Sequence, residues 1–169
     1  MNLSFFKNPR KAAWLILSIF LMGLIFFFSS QNGSDSSGLS GRFLFLLTWF
    51  LSEQQASFLI RKAAHFSIYF CLGFSINGVF LPVNFPDHSN LSDADQNKCG
   101  ILQNGFQKPF LLSLAVVFLY ACSDEWHQTF TDQRSGQFSD VLLDTCGGLC
   151  GILLHSILSI SSLKNTKSS

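Results

Sequence analysis

The sequence predicts an all-α polytopic integral membrane protein, a bundle of four transmembrane helices with a short interfacial or re-entrant segment. Only 12% of the residues are charged, 48% are hydrophobic and twenty are phenylalanine, whereas a soluble domain usually carries charge on about a quarter of its residues. Long apolar runs alternate with polar stretches along the chain, as expected for repeated membrane crossings. The 169 residues fit one domain.

The first predicted span covers about residues 12–30. Its uncharged part, from Ala12 to Phe28, reaches roughly 26 Å as a helix at about 1.5 Å per residue. Basic residues precede it and favour a cytoplasmic N-terminus. The next segment, about 41–60, contains the apolar run Phe43 to Leu51, which is too short to cross a bilayer. We therefore predict that this segment is interfacial or re-entrant.

The second predicted span covers about residues 63–83 and follows an amphipathic stretch that ends at Lys62. Five residues in this region recur at steps of three or four and share one helical face, namely Lys62, His65, Tyr69, Gly73 and Asn77. Polar groups inside a membrane usually face protein or water. We expect this stripe to face away from lipid.

A polar loop is predicted over residues 84–108, and Pro109 is expected to open the third span, about 109–131. One face of that span carries Ser113, Val117, Tyr120, Asp124, His127 and Thr131, while Glu125 points elsewhere. The fourth span, about 141–160, has a stripe of Asp144, Gly147, Gly151 and His155. The GxxxG pair predicts close packing of the fourth span against the second or third, with Asp144 turned inward.

The basic residues predict the topology. With both termini in the cytoplasm, seven lysines and arginines lie inside and four outside, in the direction of the positive-inside rule. We therefore expect a multi-pass protein of the cell membrane. This topology puts the ends of the second, third and fourth spans that carry most of the ionisable groups on the extracytoplasmic side.

Ionisable groups are concentrated between Ala121 and Asp144, at the edge of two apolar runs. Charge is costly to bury there, which indicates a functional site in preference to a solvated loop. The candidate catalytic residues are Asp124, Glu125 and His127. The candidate binding residues also include the basic end of the second span, and together they are Arg61, Lys62, His65, Tyr69, Asp124, Glu125, His127, Gln128, Arg134, Asp140 and Asp144.

The same composition argues against several other classes of site. The five cysteines lack CxxC or histidine-rich spacing, so they predict buried thiols and not a zinc cluster. Asp-Glu-x-His is not an established metal motif, and we assign no metal ligands and no cofactor. The net charge of +1, without a basic patch, gives no indication of nucleic-acid binding.

Four segments, in order along nearly the whole chain, resemble the VanZ-like family. They are FFFSSQ from Phe26 to Gln31, RKAAHFSIYFCLG from Arg61 to Gly73, SDEWHQTF from Ser123 to Phe130 with Arg134 after it, and SDVLLDTCGGLCG from Ser139 to Gly151. The resemblance implies a small membrane protein of about four helices. The founding member of this family is associated with low-level teicoplanin resistance, a property that resemblance alone does not transfer. The long loop over 84–108 departs from the pattern and is not matched to any family site.

Three functions are open to such a chain. The first is recognition or modification of an envelope lipid or cell-wall precursor headgroup, with Arg61, Lys62 and Arg134 donating to phosphate or carboxylate. The second is an intramembrane enzyme that uses His127 with Glu125 or Asp124 as acid and base, or a metal held by His65, His127 and carboxylates of the third and fourth spans. The third is transport or lipid translocation, which in so small a bundle requires a homo-oligomer.

Overall fold

The computed structural model describes residues 8–30, 52–81, 99–130 and 136–165. They form four α-helices, α1 (Pro9–Ser29), α2 (Glu53–Phe80), α3 (Cys99–Gln128) and α4 (Phe138–Asn165). Each helix is long and apolar enough to cross a membrane, and this part of the chain has no strand. The predicted all-α, four-helix architecture is confirmed. The apolar run at 43–51 lies outside the described residues.

The helices run up and down, so successive helices are antiparallel. Lys62 near the start of α2 meets Asp140 at the start of α4, and Phe26 near the end of α1 stacks on His127 at the end of α3, with ring centroids 4.6 Å apart. At the opposite end, Trp14 of α1 lies 5.5 Å from the His155 ring of α4. One end of the bundle, the polar end, therefore collects the ionisable residues of α2, α3 and α4.

Local capping explains where α1 and α2 begin. The Asn8 side chain accepts from the backbone of Arg10, and Pro9 occupies the first helical position. Ser52 and Gln55 form a capping box, so α2 begins at Glu53 and joins the amphipathic stretch to the predicted second span in one helix. The predicted start at residue 63 was therefore ten residues late.

Proline explains the end of α2. Leu81 is extended, with φ −63° and ψ 136°, as expected for a residue before proline, and the helix ends at Phe80 instead of the predicted residue 83. The prediction that Pro109 opens the third helix was wrong. That helix begins at Cys99 and has Pro109 in its interior. Residues 99–108, which were predicted to belong to a polar loop, are therefore helical. An interior proline removes one backbone hydrogen bond without necessarily ending a helix.

Glycines allow α2 and α4 to pack backbone against backbone. A β-carbon at Gly73 would overlap the backbone of Gly148, and one at Gly151 would overlap the Phe70 carbonyl. Gly147 lies against the Phe66 carbonyl in the same way. The predicted glycine face of the fourth span is confirmed, and its main neighbour is α2.

A second polar group holds the opposite half of the bundle together. The Asn77 amide of α2 donates to the Ile152 carbonyl at 3.3 Å and to Ser156 Oγ at 3.0 Å, while Ser113 Oγ of α3 donates to Asn77 Oδ1 at 3.3 Å. The donors and acceptors of Asn77 are thus matched by α3 and α4, which makes a structural role the simplest account of this residue. The outer faces are apolar, with side chains such as Phe20, Leu111 and Leu119 at least 60% exposed.

We predict that Gly151→Val strongly destabilises the bundle, by more than about 2 kcal/mol, because the new side chain meets α2 backbone that has no space to move. Gly23→Val is the matched control, since nothing lies within 4 Å of a β-carbon there. Thermal unfolding of both purified variants in detergent checks this. Equal melting temperatures would contradict the close approach of α2 and α4.

Candidate functional site

Three helices each contribute one side chain to a cluster in the polar end. His65 comes from α2, Asp124 from α3 and Asp144 from α4, and one ligand atom from each lies within 4.8 Å of the other two. His65 Nδ1 is 3.6 Å from Asp144 Oδ2. We refer to His65, Asp124 and Asp144 as the triad. Its members are about 60 and 20 residues apart in sequence, so only the packing of the helices assembles it.

The two carboxyl groups of the triad are buried. Asp144 is 0% exposed and Asp124 is 4% exposed. Asp124 Oδ2 accepts from Gln128 Nε2 at 3.3 Å, one turn along α3. Neither oxygen of Asp144, nor Oδ1 of Asp124, has a hydrogen-bond partner among the described residues. Buried oxygens of this kind are costly unless something else satisfies them.

Tyr69 lies beside the triad, one turn after His65 on α2, and is fully buried. Its hydroxyl interacts electrostatically with Asp124 and Asp144, the two carboxylates of the triad. The hydroxyl is therefore an additional donor or acceptor facing the same space.

An ion pair closes the rim of the site. The Lys62 ammonium contacts the Asp140 carboxylate, and the two side chains are 22% and 24% exposed. The same ammonium lies 5.1 Å from the centre of the Phe58 ring. This pair connects α2 to α4 one helical turn outside the triad, where water can still reach it.

Glu125 of α3 contacts the backbone just before the start of α4. Its Oε2 accepts from the Gln137 backbone at 2.9 Å, and the side chain is 5% exposed. Gly136 passes so close to the Glu125 carbonyl that a side chain there would overlap it. Helical periodicity predicted that Glu125 points away from the face of α3 that carries Asp124. In the structure Glu125 is buried apart from the triad.

The predicted residues therefore fall into several groups. The structure brings Lys62, His65, Tyr69, Asp124, Asp140 and Asp144 together, and Gln128 supports Asp124. His127 is not a member of the triad and stacks on Phe26 of α1 instead. Arg61 is half-buried on α2, and Arg134 lies outside the described residues.

Tyr120 was absent from the predicted binding set although it belongs to the site. Its hydroxyl donates to the Met22 carbonyl of α1 at 2.6 Å, and its ring centroid lies 6.3 Å from that of Tyr69. It precedes Asp124 by one turn of α3, and this spacing was the signal that could have identified it.

Four helices of membrane-spanning length and composition define a small multi-pass membrane protein, and its bundle holds a cluster of three ionisable side chains. The family model described as VanZ/LLP1 matches residues 14–159, and the chain belongs to the VanZ-like family, as its motifs indicated. No curated protein and no solved structure matches the chain.

We predict that Asp144→Asn stabilises the protein in the presence of a metal chelator. The substitution removes a buried charge that lacks a hydrogen-bond partner in the described structure, and the expected gain is about 1–3 kcal/mol. Asp140→Asn is the matched control at the rim, where loss of the partly exposed pair with Lys62 costs up to about 1 kcal/mol. Thermal unfolding in detergent measures both, and a less stable Asp144→Asn would contradict the prediction.

Proposed function

We propose that this VanZ-like protein recognises the phosphate-bearing headgroup of an envelope lipid or of a lipid-linked cell-wall precursor at its polar end. The observation that carries the proposal is the partly exposed Lys62 ammonium, which lies beside the triad at one end of an otherwise apolar bundle. Ionisable groups inside a membrane bundle are rare and usually mark a functional site. Lipid headgroups are polar partners that every membrane supplies at its surface.

The cations at the rim support a phosphate in particular. The Lys62 ammonium is partly exposed and held by Asp140, which positions it without burying it completely. A flexible ammonium can keep one bond to this carboxylate and donate others to phosphate oxygens. Arg61 precedes it on α2, and the sequence-based expectation that Arg134 makes a two-pronged contact remains part of the proposal.

Exposed aromatic residues near the polar end support its position at the membrane surface. Trp126 lies in the last turn of α3, Phe130 follows the end of that helix and Phe138 opens α4, with 69%, 75% and 68% of their surfaces exposed. Aromatic rings of this kind prefer the boundary between headgroups and hydrocarbon. The triad would then lie just below the headgroups, within reach of a phosphate.

We predict that Lys62→Gln weakens headgroup binding about tenfold, a loss of roughly 1.4 kcal/mol. The assay titrates polyprenyl diphosphate or phosphatidylglycerol into protein held in phosphatidylcholine nanodiscs, and the two arms distinguish a lipid-linked precursor from a phospholipid. Lys108→Gln is the control, because Lys108 is an exposed lysine before the apolar part of α3. Equal binding by wild-type and Lys62→Gln protein would remove the phosphate-recognition proposal.

We also propose that the polar end faces away from the cytoplasm. The test places single cysteines by Gln133→Cys or Lys98→Cys in a chain without the five native cysteines, and treats intact cells with a membrane-impermeant thiol reagent. Gln133→Cys should react and Lys98→Cys should not, because the two positions follow and precede α3 in the sequence, and a membrane-spanning α3 would separate them. The reverse pattern would invert the topology.

An effect on teicoplanin susceptibility is proposed only through this binding. A glycopeptide antibiotic acts on cell-wall precursors outside the cytoplasm, where the proposed headgroup site would compete for or alter the same molecules. Expression of the wild-type chain and not of Lys62→Gln would then change susceptibility.

The second candidate function is an intramembrane enzyme acting on a lipid-linked substrate. The observation that favours it is the distance of 3.6 Å between His65 Nδ1 and Asp144 Oδ2, with Asp124 close by. An imidazole positioned by a carboxylate is a common general acid and base. The structure thus offers His65 for this role, where the sequence analysis favoured His127. Unchanged lipid mass after prolonged incubation with polyprenyl diphosphate would exclude turnover of that substrate.

A further inference from the structure

The triad has the composition of a metal site. It contains one imidazole nitrogen and two carboxylate groups, each delivered by a different helix, with ligand atoms all within 4.8 Å of one another. Ligands on a tetrahedral ion at about 2.0–2.2 Å are about 3.4 Å apart. The distance of 3.6 Å from His65 Nδ1 to Asp144 Oδ2 is already close to this value. Binding would require the remaining ligand atoms to approach one another by up to about 1.4 Å.

The unpartnered oxygens are a separate observation that points to a cation. Asp144 is completely buried, and both of its carboxylate oxygens lack a hydrogen-bond partner within the described part of the chain. Oδ1 of Asp124 is also buried and has no hydrogen-bond partner among the described residues. Two carboxylates in an apolar bundle repel each other unless positive charge lies between them. A divalent cation supplies that charge and takes up the free lone pairs together.

The nearest described lysine on α2 does not meet this need. Lys62 precedes His65 on the same helical face, but its ammonium contacts Asp140 at the rim. Gln128 donates a single amide hydrogen bond to Asp124 and brings no charge. The carboxylates of the triad therefore remain in excess over the positive charge that the described contacts provide.

We propose that His65, Asp124 and Asp144 bind one divalent first-row transition-metal ion, Zn²⁺ or Mn²⁺. Imidazole suits zinc and carboxylates suit manganese, and the mixed set is compatible with both. Three protein ligands leave a coordination position open for water or a phosphate oxygen. The Tyr69 hydroxyl faces the same two carboxylates and can hydrogen-bond a group bound there.

The metal proposal does not depend on headgroup recognition. Metal binding is measured on the purified chain in detergent without added phospholipid, so its failure and the failure of lipid binding are separate results. A bound metal would nevertheless extend the proposed function, because its open position and Lys62 are two complementary sites for one phosphate.

The experiment measures metal content and affinity. Full-length protein without a polyhistidine tag is treated with chelator, titrated with Zn²⁺ or Mn²⁺, washed and analysed by mass spectrometry of the elements. Wild-type protein should retain about one ion per chain, while Asp144→Asn and His65→Gln should lose at least about tenfold in affinity. Glu53→Gln is the control, because this carboxylate is exposed in the first turn of α2 and is not part of the triad or its rim.

Two further measurements keep the result interpretable. The ion should raise the melting temperature of the wild type and not that of Asp144→Asn, since a ligand that binds only the folded state stabilises it. The site must also survive replacement of the cysteines, because Cys146 and Cys150 are exposed on α4 and can bind zinc on their own. The proposal fails if wild-type protein retains neither ion, if Asp144→Asn retains it equally, or if the cysteine-free chain loses it.

Discussion

The close approach of α2 and α4 is the constraint on which the rest of this structure depends. Gly73, Gly147 and Gly151 remove the side chains that would separate the two backbones. Polar residues on either side of this contact then come within reach of each other, Lys62 with Asp140 and His65 with Asp144 at one end. In a membrane, where lipid and leucine are equally apolar, such packing takes the place of hydrophobic burial as the force between helices.

The buried polar groups in the two halves of the bundle differ in whether their hydrogen bonds are matched. Around Asn77 the donors and acceptors are matched by side chains and carbonyls of α3 and α4, so the network serves cohesion. Around Asp144 they are not matched within the described structure, although the residue is equally buried. Burial of the polar groups around Asp144 therefore costs more free energy than burial of those around Asn77. This contrast within a single bundle is the basis of our proposal that the polar end binds a ligand.

Much of the fold could be predicted because membrane-length apolar runs are few and long. The helix boundaries could not be predicted, because they depend on whether local caps and prolines end a helix or are accommodated within it. The capping box at Ser52 extends α2 through a stretch that was predicted to be separate, and α3 continues through Pro109, which the sequence analysis took for a start. Of the site, periodicity placed the polar residues of α2 on one helical face and turned Asp144 of α4 inward. It could not choose between His65 and His127 as the partner of the carboxylates, since both lie on polar faces.

The sequence motifs by themselves indicated membership of the VanZ-like family. The sequence also determined the class of protein, the number of spans and the inward faces of α2 and α4. These properties follow from local periodicity and composition, which the bilayer enforces on each helix separately. Only the tertiary structure decided that His65 joins Asp124 and Asp144 while His127 packs against Phe26 of α1. The physical reason is that periodicity fixes the rotation of one helix, whereas contacts depend on the depth and neighbours of that helix, and here the glycines of α4 set both.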